Sequence, residues 1–494
     1  MGGDSKGETM VQEKSSRTGL PNKNRGIYGD IRRSKKIEIF RTEHVKNRKA
    51  RKGLATSILI SAAFFVIVLI VFYPAITSAD TVGLEWRINN TFLQSQTAPS
   101  IAMTGGGQAV VTWESDGLDG NDYGVFGQRI NDDGSFLGNE FQVNTYTNGR
   151  QGSSAVTANS SGHFIVVWES ILGDGSGYGV YGQRYDNSGV AVGSEFLVNN
   201  FTTNDQRYPS VAMNESGEFV IVWQSSGQDG DGLGVFAKRY LSNGSKIGGE
   251  FQVNSYNSSD QVLPDISMSE NGSFIITWSS YGQDSSEYGI YAQRYLSNGS
   301  KIGGEFQVNS YTSAAQFNSE IAVNESGEFV IVWQSYGQDG DGFGIYAQKF
   351  YSNGSAMGSE FLVNVNTTSN QAYSSVAIAP NGRFVVTWAS QGQDSSGFGV
   401  YAREFNLSGT SYSEFQVNTY TTNTQYMPAI AMNPQGKHMI VWASDGQDSS
   451  SYGIYGQRYD NIPIMIPEFN DIVVPIAGLM LIALIFGRAR KKKG

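Results

Sequence analysis

The stretch of residues 206–254, QRYPSVAMNESGEFVIVWQSSGQDGDGLGVFAKRYLSNGSKIGGEFQVN, decides the fold. It contains four short apolar runs, 209–213, 218–223, 234–240 and 250–254, rich in β-branched and aromatic residues and bounded by Gly, Asn, Asp and Ser. These features are typical of β-strands, and no 3.6-residue apolar period indicates a helix. We therefore predict four strands joined by tight turns in an antiparallel meander.

The same unit recurs along the chain, and a tryptophan marks each copy. Successive tryptophans are separated by 55 residues, except the last two, which are separated by 54. They are Trp113, Trp168, Trp223, Trp278, Trp333, Trp388 and Trp442. Seven sequential four-stranded units favour a radial β-propeller, with an open β-solenoid as the alternative. We expect the tryptophan to be a packing anchor between blades, with a sugar-stacking role as the alternative.

The two ends of the repeat distinguish these folds. Residues 85–89 (EWRIN) match the fourth-strand sequence and precede the first complete unit, whereas the last unit stops after its third strand at Tyr459. A closed ring uses such a displaced strand to remove its exposed edge. We therefore predict an all-β protein: a seven-bladed β-propeller of four-stranded antiparallel blades over residues 80–462, closed by the N-terminal strand and flanked by two transmembrane segments.

Three further residue types recur at fixed distances from the tryptophan. In all seven units an Asp follows it by six residues, a Gly follows it by eleven, and a Gln precedes it by seventeen. Around Trp223 these are Asp229, Gly234 and Gln206. Identity in every blade indicates packing or turn roles. We expect the Asp to cap its own turn and the Gly to supply a positive φ there.

The loops between the second and third strands are candidate calcium sites. Some of them place two carboxylates beside glycines, which can supply oxygen ligands to calcium, although no bidentate Glu stands at EF-hand spacing. The candidate ligands are Asp119 with Asp122, Asp229 with Asp231, and Asp339 with Asp341. Calcium is the one cofactor that the sequence suggests.

Signatures of catalysis are weak in this sequence. The chain has no Cys, which excludes disulfides, thiolate metal sites and a cysteine nucleophile. Two of its three histidines, His163 and His438, follow a first-to-second-strand turn, where we expect exposed side chains. A propeller enzyme needs different groups converging from several blades, and these blades look alike. We therefore predict a protein without enzymatic activity, with a polysaccharide hydrolase or lyase as the alternative.

Charge is distributed in three blocks. The chain has a formal charge of −10, but residues 1–52 carry 15 Lys and Arg against six Asp and Glu, and residues 488–494 carry five Lys and Arg. The middle is therefore strongly acidic, which disfavours nucleic acid as a partner. Residues 1–52 are basic and poor in apolar residues, which predicts a disordered cytoplasmic tail.

Two apolar segments predict attachment to a membrane. Residues 53–79 are uncharged and longer than the roughly 20 residues that a membrane-crossing helix needs. The basic tail before them favours a cytoplasmic N-terminus, so we predict a signal-anchor, with cleavage before Asp80 as the alternative. Residues 472–487 form a second, shorter apolar run. The predicted location is the plasma membrane, with the propeller outside the cell.

The C-terminal segment, residues 463–494, resembles a known sorting signal. Pro467, Glu468 and Phe469 precede the apolar run, and RARKKKG ends the chain. This order is similar to the PEF-CTERM signal of archaeal surface proteins. The resemblance implies an archaeal source, an archaeosortase as processing partner and transfer to a lipid anchor. An ordinary C-terminal membrane helix is the alternative.

The repeat also resembles a family of propeller-like repeats. Residues 84–459 follow the pattern G-x-E-F-x-V-N, then Gln, then V-x-W-x-S-x-G-Q-D, then G-x-Y-x-Q-R. This pattern is similar to the repeats of large secreted and surface proteins of prokaryotes. The resemblance implies a propeller and export, and it adds little about a ligand.

Twelve N-x-S/T sequons occur, and their density in an exported chain favours glycosylation. They are Asn89, Asn159, Asn200, Asn214, Asn243, Asn257, Asn271, Asn298, Asn324, Asn353, Asn366 and Asn406. None lies in a loop that carries the repeated Asp. We predict a surface module for binding, adhesion or envelope structure, whose Asp-rich rim faces outward and contacts an unknown surface protein or glycan.

Overall fold

The architecture is a seven-bladed β-propeller. A computed structural model describes residues 80–92 and 94–460, which form 28 β-strands. The strands associate into seven four-stranded sheets in which every pairing is antiparallel. The predicted all-β propeller of four-stranded antiparallel blades is confirmed.

The strands follow one another as the four-run repeat predicts. The first strand is β1 (Asp80–Arg87). Blade 1 contains β2 (Gln96–Met103), β3 (Ala109–Asp116), β4 (Tyr123–Ile130) and β5 (Phe141–Gln142). Blade 2 contains β6 (Gln151–Ala158), β7 (Phe164–Ile171), β8 (Tyr178–Tyr185) and β9 (Ala191–Leu197). Blade 3 contains β10 (Gln206–Met213), β11 (Phe219–Ser226), β12 (Leu233–Tyr240) and β13 (Lys246–Gln252).

The second half of the ring repeats this arrangement. Blade 4 contains β14 (Gln261–Met268), β15 (Phe274–Tyr281), β16 (Tyr288–Tyr295) and β17 (Lys301–Gln307). Blade 5 contains β18 (Gln316–Val323), β19 (Phe329–Tyr336), β20 (Phe343–Phe350) and β21 (Phe361–Leu362). Blade 6 contains β22 (Gln371–Ile378), β23 (Arg383–Gln391), β24 (Phe398–Asn406) and β25 (Phe415–Gln416). Blade 7 contains β26 (Gln425–Met432), β27 (His438–Asp445) and β28 (Tyr452–Asp460), with β1 as its fourth strand.

The blades form a closed ring. The first strand of each blade contacts the first strands of both neighbours, and β2 contacts β26, so seven innermost strands surround a central channel. Strand β1 pairs with β28, with Asp80 opposite Asp460 and Arg87 opposite Tyr455. Closure by the N-terminal strand is therefore confirmed, and it removes the edge that an open row of blades would expose.

The ring has two different rims. The loops between second and third strands lie at one end of the strands together with the connectors between blades, and we call this end the Asp-loop rim. The turns from first to second strand and from third to fourth strand lie at the opposite rim. Because β1 begins opposite the end of β28, the chain enters and leaves the propeller side by side at the opposite rim.

The hydrophobic core of the described residues is divided into seven clusters, one at each junction between blades. Each cluster combines the tryptophan of one blade with apolar residues of the blade before it. At the closing junction, Trp113 packs in one cluster with Val441 and Ile454 of blade 7. All seven repeat tryptophans are exposed by 1% or less. Their predicted role as anchors between blades is confirmed.

The predicted plasma-membrane location is wrong for the chain as the structure describes it. Every regular element within residues 80–92 and 94–460 is a strand, and this part has no helix long and apolar enough to cross a membrane. Several predicted segments lie outside the described residues, namely 1–52, 53–79, and 463–494 with Pro467, Glu468 and Phe469. The described residues form the propeller, and the predicted transmembrane segments lie outside them.

Candidate functional site

Most residues that recur in every blade form an internal frame. In blade 3, the Asn254 amide donates hydrogen bonds to Gln261 Oε1 over 2.9 Å and to Asp229 Oδ2 over 3.3 Å. Asn254 Oδ1 accepts the Val235 N–H over 2.9 Å. The Asn–Gln bond is present in all seven blades. Buried polar groups need such partners, so the repeated Asn and Gln have a structural role.

A glutamate within or directly before each fourth strand connects its blade to the one before it. Glu250 Oε2 accepts the Asn200 N–H of the preceding connector over 2.6 Å, and its Oε1 accepts the Gln228 amide over 2.8 Å. The backbone bond recurs at every junction, and at the closing junction Thr419 N–H donates to Glu85 over 2.5 Å. The repeated glutamates therefore stabilise the junctions between blades.

The repeated Gly has a different role from the predicted one. Gly289 lies within β16 and is outside the left-handed region. A Cβ placed on Gly289 would lie 2.6 Å from Asp284 Oδ2, and the corresponding distance is 2.8 Å or less in all seven blades. The expected positive φ is therefore wrong, because the glycine is needed for the close approach of the Asp carboxylate to the third strand.

The predicted calcium ligands mostly bond backbone groups. Asp119 Oδ1 accepts the Asn121 N–H over 3.2 Å, and Asp122 is exposed. Asp229 and Asp339 accept N–H groups two residues ahead, and Asp231 and Asp341 accept the N–H groups of Ser259 and Ser369 in the following connectors. No group of three or more His, Cys, Asp or Glu side chains that could hold a metal ion occurs within residues 80–92 and 94–460. Calcium binding stays a prediction from the sequence.

The mouth of the channel at the Asp-loop rim has an unusual backbone. Each innermost strand carries a β-bulge two residues after its first Gln. The first bulged residue has φ between 48° and 57° in every blade, although none is glycine. These residues are Ala98, Ser153, Tyr208, Leu263, Asn318, Tyr373 and Met427. Positive φ is costly for such residues, and strained positions of this kind cluster at functional sites.

Side chains of neighbouring blades stabilise five of these bulges. In these five blades an oxygen of the residue after the tryptophan accepts the N–H of the bulged residue in the next blade. Glu169 accepts the Tyr208 N–H over 3.0 Å, and Gln334 accepts the Tyr373 N–H over 3.1 Å. Glu114, Gln224 and Ser279 do the same for Ser153, Leu263 and Asn318. In the two remaining blades this position is Ala389 or Ala443, which have no side-chain oxygen.

Two ion pairs lie at the mouth in blades 1 to 3. Arg207 forms two hydrogen bonds with Glu169, of 2.6 and 3.3 Å, and its guanidinium lies 4.1 Å from the Tyr178 ring centroid. Arg150 pairs with Glu114 over 2.6 Å. Burial raises the pKa of Glu114, against the opposing effect of its hydrogen bonds and of Arg150. Neither glutamate is repeated in the other blades, so these pairs make the mouth asymmetric.

Aromatic side chains line the rest of the mouth. Tyr208 and Tyr373 remain 40% and 39% exposed. The Tyr373 ring centroid lies 6.0 Å from that of Tyr426, which in turn lies 5.0 Å from that of Tyr452. Blades 4 and 5 add a second group, formed by Tyr281, Tyr288, Phe317, Tyr336 and Phe343. The mouth thus combines accessible aromatic faces with charged groups on one side.

Two further carboxylates lie deeper, on adjacent innermost strands. Asp265 accepts the Ser210 hydroxyl over 2.7 Å and the Ile321 N–H over 3.0 Å. Glu320 bonds to Ser375 and to the Val376 N–H. Burial, together with the Asp265 charge, raises the pKa of Glu320 to about 8, and burial also raises the pKa of Asp265. This pair holds at least one proton near neutral pH.

The histidines and the sequons divide by exposure. His163 is exposed as predicted, whereas His438 is 2% exposed and stacks on Tyr459, so its predicted exposure is wrong.

The buried sequon residues are Asn89, Asn159, Asn214 and Asn324. Exposed ones are Asn200, Asn243, Asn257, Asn271, Asn298 and Asn353, and Asn366 and Asn406 are half-buried. Glycosylation stays a prediction, with the exposed sites the accessible ones.

Sequence reasoning missed the mouth residues. The predicted site centred on the loops that carry the Asp repeated in every blade, and that Asp proves to belong to the frame. The signal that could have identified the mouth is variation between blades at one position of the repeat. The residue after Trp is Glu, Glu, Gln, Ser, Gln, Ala and Ala in successive blades, and the residue after the first Gln also differs in every blade.

Comparisons with known proteins find only distant similarities. No family model and no curated protein matches the chain. It is similar to a protein of unknown function from Dyadobacter fermentans, at 10% identity over 78% of this chain and 100% of that chain, with a TM-score of 0.45. It is also similar to two glycoside hydrolases. One is an α-L-arabinofuranosidase from Fusarium graminearum, at 13% identity over 76% and 98% of the chains with a TM-score of 0.45. The other is an α-L-arabinanase from Penicillium chrysogenum, at 13% identity over 78% and 99% with a TM-score of 0.43. Likenesses this distant carry no argument about chemistry.

Proposed function

We propose that this propeller is a carbohydrate-binding protein that holds a saccharide chain at the mouth of the channel on the Asp-loop rim. One observation carries the proposal: the side chains at this mouth differ from blade to blade, whereas the frame around them is identical. Identical blades would present seven equal surfaces. A single asymmetric ligand needs different groups in different places, and the mouth supplies them.

The chemistry of the mouth suits a saccharide. Sugar rings present apolar C–H faces and a rim of hydroxyl groups, so they favour sites that combine aromatic faces with a few oriented polar groups. Tyr208 and Tyr373 offer accessible rings, and the partly exposed Arg150 and Arg207 are held rigidly by their glutamates. The loop Asp residues belong to the frame in this proposal, so the ligand contacts move from them to the mouth.

Titration calorimetry with the purified full-length protein tests the proposal. The probes are neutral hexopyranose, pentofuranose and uronate hexasaccharides, and we expect at least one to bind. Tyr208→Ala and Tyr373→Ala should each weaken binding about tenfold, which corresponds to about 1.4 kcal/mol. The backbone tolerates alanine at this strained position, because Ala98 occupies it in blade 1.

Tyr351→Ala is the matched control. Tyr351 is 48% exposed and lies in a third-to-fourth-strand turn on the opposite rim, so its removal should leave the affinity unchanged. Failure of all three hexasaccharides to bind would refute the proposal. An equal loss of affinity in the control would show that the ligand does not bind at the mouth.

A polysaccharide hydrolase is the second candidate, and one observation favours it. Asp265 and Glu320 lie on adjacent innermost strands and burial raises the pKa of both, and enzymes that cleave glycosidic bonds use one protonated and one ionised carboxyl group. Release of new reducing ends from a polysaccharide by the full-length protein would support this candidate. Unchanged chain length after prolonged incubation with a bound polysaccharide would contradict it.

A further inference from the structure

The bulge N–H groups at the mouth follow a rule with two exceptions. In five blades a side-chain oxygen from the preceding blade accepts this N–H at 2.6 to 3.1 Å. The exceptions are Met427 in blade 7 and Ala98 in blade 1. The residue after the tryptophan in the preceding blade of the ring is Ala389 for Met427 and Ala443 for Ala98. Met427 and Ala98 both have φ of 50°, as Tyr208 does, so their backbone adopts the same bulge conformation.

The two exceptions differ in what surrounds them. In blade 7, Tyr426 stands opposite Ala443 in the strand register, so a large ring lies beside the alanine. In blade 6, Ala372 stands opposite Ala389, so both members of the cross-strand pair are methyl groups. The junction between blades 6 and 7 therefore has the smaller side chains where other blades carry Glu, Gln or Ser.

We infer that the peptide N–H of Met427 is a ligand-binding donor, and that an oxygen of the bound saccharide takes the place of the missing side-chain oxygen. This inference rests on the proposed function. The Tyr373 and Tyr426 rings flank the junction, with centroids 6.0 Å apart, and can contact the sugar ring that brings the oxygen. Met427 is half-buried, and its N–H lacks the side-chain acceptor that the preceding blade supplies in five other blades, so an oxygen of the ligand would give it a hydrogen bond at this position.

Restoring the side-chain oxygen tests the inference. Ala389→Gln places at this site the residue that Gln224 and Gln334 provide in blades 3 and 5, where it is 6% and 4% exposed. The new amide oxygen should accept the Met427 N–H and occupy the space of the sugar oxygen. We expect the affinity for the tightest-binding hexasaccharide to fall at least tenfold, with thermal stability equal to or above that of the wild type.

Ala191→Gln is the matched control, because it makes the same exchange at an exposed position at the start of β9, beside the opposite rim. It should bind the hexasaccharide as the wild type does. A second readout is the amide resonance of Met427 in protein labelled with ¹⁵N-methionine, which should shift on saturation with the hexasaccharide. Should Ala389→Gln fail to fold, Ala389→Ser introduces the shorter cap of blade 4 and should also weaken binding.

The possible failures are distinguishable. Wild-type protein that binds no hexasaccharide refutes the proposed function. Wild type and Ala389→Gln that bind equally, with an unchanged Met427 resonance, refute the inference and leave the proposed function standing. Loss of binding in Ala191→Gln as well would assign the effect to a general change of the protein and would overturn the inference.

Discussion

His438 takes the place of a phenylalanine in a ring stack that five other blades share. Its imidazole lies 4.9 Å from the Tyr459 ring at an interplanar angle of 8°. The equivalent stacks use Phe164, Phe219, Phe274, Phe329 and Phe384. Burial lowers the pKa of His438 to about 4, and Nε2 has no hydrogen-bond partner. The protonated form is therefore excluded from the folded state at mildly acidic pH.

We expect His438→Phe to stabilise the protein, most strongly in acid. The unfolded chain binds a proton near pH 6.5 and the folded one only near pH 4, so the wild type loses stability as the pH falls through this window. At pH 5 the loss is roughly 2 kcal/mol, and the variant avoids it. Chemical denaturation at pH 5 and pH 8 measures the difference.

The reverse change in another blade is the control. Phe274→His should introduce a similar acid sensitivity into blade 4, where Tyr295 provides the stacking partner at 4.7 Å. A His438→Phe variant whose gain in stability is the same at pH 5 and pH 8 would contradict the assignment to imidazole protonation.

The role of a residue was predictable from the sequence only where its type and its spacing indicate that role. The buried tryptophans follow from hydrophobicity and period. The bulges were not predictable, because a positive φ is locally unfavourable for Leu263 or Tyr373. Their conformation is stabilised by a hydrogen bond to a side chain of another blade. His438 was misplaced because a position after a turn was taken as exposed, whereas its blade packs it like the phenylalanine of its neighbours.

At the level of strands, the Asp carboxylate of each loop lies so close to the third strand that the strand needs a glycine at the point of contact. Gly289→Ala in β16 would place a methyl group 2.6 Å from Asp284 Oδ2 and displace the carboxylate from Ser286 N–H and from the Gln307 amide. We expect a loss of roughly 1 to 3 kcal/mol of unfolding free energy, measured by denaturation, because hydrogen-bonded groups lose their partners.

The same blade contains a matched control for this substitution. Gly304 in β17 is also outside the left-handed region, and a Cβ there would meet nothing within 4 Å. Gly304→Ala should change stability by no more than about 0.5 kcal/mol, or increase it slightly. Equal destabilisation by both substitutions would show that the contact with Asp284 is unimportant.

Strand positions were largely predictable, but the fourth strand was not. The predicted run at 250–254 becomes β13 over Lys246–Gln252. The Val253 N–H still donates to Val235 O over 2.9 Å, and the backbone pairing ends at Asn254. Asn254 instead caps the Val235 N–H with its side chain. Periodicity identifies a run of apolar residues, whereas the end of a strand depends on which tertiary hydrogen bond replaces the ladder.

Across the whole molecule, the ring of innermost strands places Asp265 and Glu320 side by side. Since the pKa of Glu320 is raised to about 8, the folded state keeps a proton that the unfolded chain releases near pH 4.5. Stability therefore falls as the pH rises between these values. Glu320→Gln imitates the protonated form and should be more stable than the wild type at pH 9, with little difference at pH 4.

Thermal denaturation across pH 4 to 9 measures this effect. Glu287→Gln, at an exposed position of the blade 4 Asp loop, is the control and should follow the wild-type curve. We expect Glu320→Gln to melt at least about 2 °C higher than the wild type at pH 9. Parallel curves for Glu320→Gln and the wild type would show that Glu320 does not hold its proton in the folded state.

The architecture of the whole ring was predictable because it depends on counting. Seven tryptophans at one spacing, and a fourth-strand sequence before the first unit, define the number of blades and the closing strand. The binding site depends on the residues that depart from the repeat, and their meaning appears only when the ring brings different blades to one mouth. The membrane location was inferred from apolar segments outside the described strands, and the described chain does not support it.

The displaced strand β1 also sets the order of events during synthesis. It leaves the ribosome first, but its partner β28 is made 365 residues later, as the separation of Asn89 and Ile454 shows. At about 5 to 20 residues per second, this strand waits roughly 20 to 70 s with an unsatisfied edge. A chain that terminates before β28 keeps that edge unpaired, which exposes it to aggregation, so the ring can close only after β28 has been synthesised.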